Sequence, residues 1–514
     1  MTNIATYLES TALRCPDDVA VRYRGRSYSY ARMQAMTDAI AGGLIGNGIG
    51  RGHRVALCSD IRPGFIAAFL GIVRTGAVHT GFDYIWPDRD YSQMIEDCGI
   101  DAILCSADPG NTALAERLEA AARTAGRTIP IWVIPAEPDG DTRIGGFRSV
   151  EEWYRAASGS VAAATVAFDD VATIAFTSGT TGRRKAAQIT HGNFVGMTVL
   201  TMSLVELAAC RCRLVPGNYE GVMAQLFLLL LPLLLGNTIV LSETRDPGDV
   251  WRLVERERVS YLLEMPVFYH DLLGQVGKAN VAEIRRHLKV CITGGAAFPK
   301  AWHDEFRELF GLPILPGYGA TETTTCVSFS FGWDGFVPGR TGRPIPGVRV
   351  RIVGEDGADR PAGSEGEIFV ASPGLMKGYL NNAAETARVL QNGWYRTGDR
   401  GLLDQDGQLA VIGRLDEKIL TGYHRIDPNA IEDVMFAHPE VALAAAVGIP
   451  DAVLGQRIKA YVVLRPGGTV DAASLRAWMS GRLPEWMVPD LIEFRPSLPL
   501  TPTGKVARAV LRDA

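Results

Sequence analysis

Thr177-Ser178-Gly179-Thr180-Thr181-Gly182 runs directly into Arg183, Arg184 and Lys185, so a stretch of small hydroxyl and glycine residues ends in three cations. It leaves the apolar, β-prone segment Val171-Ala172-Thr173-Ile174-Ala175-Phe176, which reads as a buried strand. Glycines let a backbone turn tightly and approach a ligand, and several N–H groups can then face one concavity. The hydroxyls of Thr177, Ser178, Thr180 and Thr181 add donors, and Lys185 adds a mobile point charge. The chemistry open to these residues is to cradle a polyphosphate. A solvated Ser/Thr/Gly loop with no ligand is the competing reading. The stretch does not fit G-x-x-x-x-G-K-[ST], because the lysine stands three places past the last glycine and no hydroxyl follows it. An ordinary P-loop ATPase is disfavoured.

The elements that must position this loop form an α/β chain. At 514 residues it is too long for one ordinary core, so two or more domains are expected. It is 47% hydrophobic and 21% charged with a net charge of −5, a globular profile with no basic excess that would argue for nucleic acid. Eight scattered cysteines without a C-x-x-C suit reduced thiols in a cytoplasm better than disulfides or zinc. No signal peptide is read at the N-terminus. The uncharged stretch 221–242 is cut by Gln225, Pro232 and Gly236-Asn237-Thr238, so a buried helix followed by a strand is expected rather than a membrane span. Residues 20–23 and 26–30 look like a hairpin, Ala67 through Ala77 like a helix closed by Gly76, and 136–148 like a surface loop. Strands such as 54–58 and 102–105 alternate with helix-length segments, and a second α/β stretch runs through 261–266 and 290–297, which indicates largely parallel sheets covered by helices. The glycine turn that ends 290–297 and the one at Gly317-Tyr318-Gly319 suggest a crevice at the carboxyl ends of the strands. From about residue 340 the texture becomes β-rich, and after Gly413 it is mixed α/β again.

With its continuation Ile189-Thr190-His191-Gly192-Asn193, the loop resembles that of the adenylate-forming superfamily of acyl-CoA synthetases, adenylation domains and luciferases. The superfamily's later motifs follow in order as Tyr318-Gly319-Ala320-Thr321-Glu322, Tyr395-Arg396-Thr397-Gly398-Asp399, Gly413-Arg414 and Pro499-Leu500-Thr501-Pro502-Thr503-Gly504-Lys505. The resemblance covers essentially the whole chain. It implies a large N-terminal domain of helix-covered sheets with a small β subdomain (1–413), a hinge at 414–417, and a small mobile α/β domain (418–514). It implies ATP and Mg²⁺, with a carboxylate attacking the α-phosphorus to give an acyl-adenylate. By the same resemblance Thr177, Ser178, Gly179, Thr180, Thr181, Gly182 and Lys185 hold the β- and γ-phosphates. Tyr318 stacks on adenine, Thr321 reaches the α-phosphate, Glu322 holds the metal, and Asp399 takes the ribose hydroxyls with Arg414 beside it. Lys505 bridges carboxylate and α-phosphate, and Asp416 matches the pivot about which the small domain swings.

Departures from the family pattern bear on the acid and the acceptor. Arg184 and Ala186 replace the usual proline and glycine of the loop. The Pro216-Gly217-Asn218-Tyr219-Glu220-Gly221 run lacks the frequent histidine, which puts Tyr219 and Glu220 forward as acid contacts or as a mere surface turn. Gly294, Gly295, Ala296 and Gly319 suggest a pocket floor of small residues, fit for an aromatic ring or an acyl chain. Past the pivot, Tyr423 stands where coenzyme A ligases carry a glycine before the pantetheine tunnel, unless Gly422 takes that role; Arg425 follows, and Ala430 replaces a usual glutamate. The expected function is carboxylate activation followed by transfer to coenzyme A. The alternatives are a stand-alone enzyme loading the phosphopantetheine of an acyl carrier protein or another nucleophile, and a nucleotide-binding protein without catalysis.

Overall fold

The computed structural model describes residues 2–136, 142–157, 159–177, 184–202, 204, 210–216, 221–295, 298–330, 337–415, 417–421, 424–451, 453–501 and 505–512. Among these residues, two nine-stranded sheets make up most of the large N-terminal domain. In the first, Cys212–Pro216 lies between Thr238–Ser242 and Tyr261–Glu264, followed by Val290–Gly294 and Ile314–Ala320, all parallel. The second runs Lys185–Thr190, Val171–Thr177, Val78–Gly81, Arg54–Cys58, Ala102–Ser106 and Ile131–Ile134, with its middle pairs parallel. Strands joined by helical crossovers bury both faces, and several of them, Arg54–Cys58, Ala102–Ser106 and Ile131–Ile134, are nearly continuous apolar runs. Side chains from both sheets share one core with the helices Tyr30–Gly46 and Pro63–Arg74.

Three local expectations are revised. The helix expected from Ala67 begins at Pro63, because proline at the first helical position loses no hydrogen bond and its fixed φ suits the helix. Within the expected 136–148 loop, Arg143–Ile144 pairs with Phe147–Ser149 across Gly145-Gly146, whose φ values of 56° and 91° suit a two-residue hairpin turn. The buried segment after Gly221 is helical, but Gln225–Leu230 winds as a π-turn between Val222–Ala224 and Leu231–Leu235. The fully buried Arg213 braces it, donating from Nη1 to the Phe227 carbonyl (3.2 Å) and from Nε to Asn237 Oδ1 (3.0 Å). Among the described residues no helix is long and apolar enough to cross a membrane.

A third, five-stranded antiparallel sheet carries Arg349–Val353, Gly366–Ala371, Trp394–Leu403, Leu390–Gln391 and Leu409–Arg414. The small C-terminal domain holds the fourth sheet, built from Ile419–Thr421, His424–Ile426, Val441–Asp451, Gly455–Leu464 and Leu491–Phe494. It has its own core, which includes Ile431, Met435, Ile458, Val462, Leu475 and Met479. It meets the large domain through Phe436 edge-on to Trp302 (5.2 Å), Arg400 to Asp427 (3.2 Å) and Asn429 Nδ2 to the Ile412 carbonyl (2.9 Å).

Candidate active site

The parallel strands of the first sheet end on one edge, where Gly294 is in register with Gly317. Ile314–Ala320 then folds back on Thr325–Phe329 through a single tight turn at Thr321–Thr323. The reversal is so close that a Cβ on Gly319 would sit 1.4 Å from the Thr325 carbonyl oxygen. Thr324 and Thr325 follow at φ values of 48° and 78°, which β-branched residues adopt only at a cost of about 1–3 kcal/mol each. Thr324 is held there by its hydroxyl, which donates to the Gly374 carbonyl at 2.6 Å. The turn presents Thr321 and Glu322; the latter is 8% exposed and accepts from the Tyr379 hydroxyl at 2.6 Å.

The third sheet brings the next pair. Asp399 and Arg414 face one another in register on adjacent strands, and Arg414 Nη1 donates to Asp399 Oδ1 and to the Thr397 carbonyl, both at 3.1 Å. The other Asp399 oxygen accepts from the Tyr318 hydroxyl at 2.5 Å. Burial raises the Asp399 pKa, opposed by the Arg414 charge and the Tyr318 hydrogen bond. Tyr318, Asp399 and Arg414 are thus one cluster, with a half-buried ring at its inner side.

Lys505 reaches this cluster from the small domain. A Cβ on Gly295 would lie 3.4 Å from Lys505 Cε and 2.9 Å from Met265 Cε, and Gly295 itself has φ +82°. Crowding by protein lowers the lysine pKa; Asp399 opposes this, and Arg414 adds to it. Lys505 itself is exposed.

On the facing sheet, Lys185 opens Lys185–Thr190 opposite Thr177, so both ends of the hydroxyl-rich loop are pinned in register. Its Nζ lies 2.6 Å from Glu385 Oε1 and 5.4 Å from the centre of the Tyr379 ring. Arg184 instead turns to Asp90 (3.1 Å) and over the Trp86 ring.

Ser178, Gly179, Thr180, Thr181, Gly182, Tyr219, Glu220, Ala296, Asp416, Gly422 and Tyr423 lie outside the described residues. Arg425 is in the short strand His424–Ile426, paired with Leu420. Four residues at the site carried no sequence signal read above: Tyr379 on Glu322, Glu385 on Lys185, Thr397 around Asp399, and Met265 beside Gly295 and Lys505. Only Thr397 lies inside a quoted motif.

At the end of Tyr261–Glu264, Glu264 is 7% exposed and burial pushes its pKa up to about 7, although Arg245 Nη2 sits 3.0 Å from Oε2. A carboxyl whose folded pKa exceeds its unfolded one adds stability that is complete below about pH 4.5 and is lost as pH rises through about 7. Glu264→Gln should therefore unfold less easily than the parent at pH 8, by up to about 3 kcal/mol, with the difference shrinking towards pH 5. Denaturant titrations at both pH values check it; a pH-independent difference would remove the assigned cause.

Glu322 offers the hard oxygen donor that Mg²⁺ prefers, and one carboxylate beside a polyphosphate is a common way to hold this ion. Among the described residues no group of three or more histidine, cysteine or acidic side chains could hold a metal ion.

Comparison with known proteins agrees with this assembly of parts. The family model described as AMP-binding enzyme matches residues 8–380, and that of the AMP-binding enzyme C-terminal domain matches 430–505. A feruloyl-CoA synthase of Amycolatopsis sp. is 30% identical over 498 residues, covering 97% of this chain and 96% of its own. An indoleacetate–CoA ligase of Aromatoleum aromaticum is 28% identical over 502 residues, covering 97% and 95%. The ATP-bound crystal structure of MatB from Rhodopseudomonas palustris superposes with a TM-score of 0.89 at 26% identity, covering 100% of this chain and 98% of MatB. The chain belongs to the AMP-binding enzyme family and is an ATP-dependent, AMP-forming carboxylate ligase.

Proposed function

We propose that the chain makes acyl-CoA thioesters in two steps within one crevice. In the first, an oxygen of the acid's carboxylate attacks the α-phosphorus of ATP; the bond to the β-phosphate oxygen breaks and pyrophosphate leaves. In the second, the coenzyme A thiol attacks the acyl carbonyl, loses its proton, and expels AMP. The observation that carries the reading is Lys505, on the small domain, lying against Gly295 of the large domain and among the charges of Asp399, Arg414 and Glu322. Carboxylate and triphosphate repel one another, so a cation is needed where negative charge accumulates as they meet.

In this reading Thr177 through Gly182, with Lys185, hold the outer phosphates. Tyr318 supports the adenine, and Asp399, kept in place by Arg414 and Tyr318, accepts from the ribose hydroxyls. Thr321 reaches the α-phosphate from the turn that presents Glu322. Glu322 would hold Mg²⁺, which would supply charge neutralisation beside the phosphates. Residues 1–413 carry the adenylation site, 414–417 the hinge and 418–514 the swinging domain. The acid lies over Gly294, Gly295, Ala296 and Gly319, with Tyr219 and Glu220 at its rim. Asp416, Gly422, Tyr423 and Arg425 serve the hinge and the thioester step. Relatives named for feruloyl-CoA and indoleacetate put aromatic acids first among substrates. Eight cysteines, none joined in a disulfide, fit a cytoplasmic enzyme.

Acid-dependent ATP–pyrophosphate exchange over arylpropenoic, arylacetic, benzoic and fatty acids tests the first step. Thioester formation with coenzyme A against loading of a holo-carrier protein tests the second, and Tyr423 favours the carrier. Exchange with no acid, despite ATP binding, would refute the catalytic reading.

A further inference from the structure

Lys185 is already committed before any phosphate arrives. Its ammonium contacts Glu385 at 2.6 Å, and the pair is largely shielded, with side chains 26% and 17% exposed. Glu385 is ionised at every working pH: hydrogen bonds from Arg388 at 2.6 and 2.8 Å, then Lys185, pull its pKa down to about 2. The same lysine lies against the Tyr379 ring, whose hydroxyl binds Glu322. Two cations and two carboxylates therefore balance at the mouth of the phosphate loop. A polyphosphate entering there meets Glu385 as a like charge and as a rival for the lysine.

We infer that Glu385 is a counter-ion that competes with the polyphosphate for Lys185 and so promotes pyrophosphate release after adenylation. This rests on Lys185 binding phosphate, as proposed above. Glu385 is a positioning residue: it acts through the lysine and touches no reacting atom. Its cost falls on ATP and pyrophosphate alike. Its benefit comes when pyrophosphate must leave, because the departing ammonium–phosphate contacts are replaced by a ready ion pair instead of an unpaired, half-buried lysine.

The test is the inhibition constant of magnesium pyrophosphate, measured against ATP in the full-length enzyme. An ion pair of this exposure is worth about 1 kcal/mol, so Glu385→Gln should tighten pyrophosphate about threefold to tenfold and lower the KM for ATP in parallel. Glu385→Ala keeps good helix propensity and removes the acceptor, so it must shift both constants the same way. In a Lys185→Ala background, the effect of Glu385→Gln should vanish. Unchanged or weaker pyrophosphate binding in both Glu385 variants, with Lys185→Ala itself weakening it, would overturn the counter-ion role alone. Lys185→Ala leaving both ligands unaffected would instead overturn the phosphate role of the lysine and the inference with it.

Discussion

Lys505→Ala should lower acid-dependent ATP–pyrophosphate exchange by about 10²–10³-fold, the usual loss when a group stabilising developing charge is removed. The melting temperature should barely move, because the lysine is exposed and its loop is closed by backbone: Thr501 N donates to the Lys505 carbonyl at 2.6 Å, and Ala507 N to that of Pro499 at 2.8 Å. Presented with preformed acyl-adenylate and coenzyme A, the variant should still make thioester at near the parent rate. The contrast matters more than the loss. A variant equally slow in both steps would mean that the lysine acts through the fold of the site.

Gly319→Ala should damage both steps and the protein together. The added methyl would lie 1.4 Å from the Thr325 carbonyl oxygen, which is backbone and cannot rotate away. Opening Ile314–Ala320 from Thr325–Phe329 would disturb Thr324 and Thr325, already at positive φ, and move Thr321 and Glu322 with them. Overpacking of this kind costs about 3 kcal/mol, and a displacement on the order of 1 Å at a reacting centre costs about 10²-fold in rate. Thermal unfolding and exchange assays should both register it. Activity within a few-fold of the parent would show that the turn tolerates opening.

Much of this was legible because backbone-setting residues announce themselves. Proline and glycine marked the turns, apolar runs marked many of the parallel strands, and the order of Thr177–Lys185, Tyr318–Glu322, Asp399, Arg414 and Lys505 named a candidate site, of which the structure brings Tyr318, Asp399, Arg414 and Lys505 together. What stayed hidden was pairing across distance. Tyr379 reaches Glu322 over a separation of 57 residues and Glu385 reaches Lys185 over 200, and nothing local in either segment distinguishes a partner from a solvated side chain. The π-turn at Gln225–Leu230 was equally silent, since the apolar run after Gln225 shows no periodicity to interrupt; Arg213 reaches it from a separate strand. The hairpin at Arg143–Ser149 was a different failure. Its Gly-Gly signal was present, and the loop-like composition before it hid the strands.

The separate core of the C-terminal domain has a consequence for how the molecule comes apart. The C-terminal domain packs around Ile431, Met435, Val462 and Met479, and its contacts with the large domain include Phe436, Leu443, Asp427, Asn429 and Lys505. Scanning calorimetry of the free enzyme should therefore give two endotherms, the smaller from the C-terminal domain. An adenylate touching Lys505 and Asp399 together would couple the two cooperative units. Ligand would then fuse two transitions into one, making the heat-capacity trace itself a report on whether the small domain is docked.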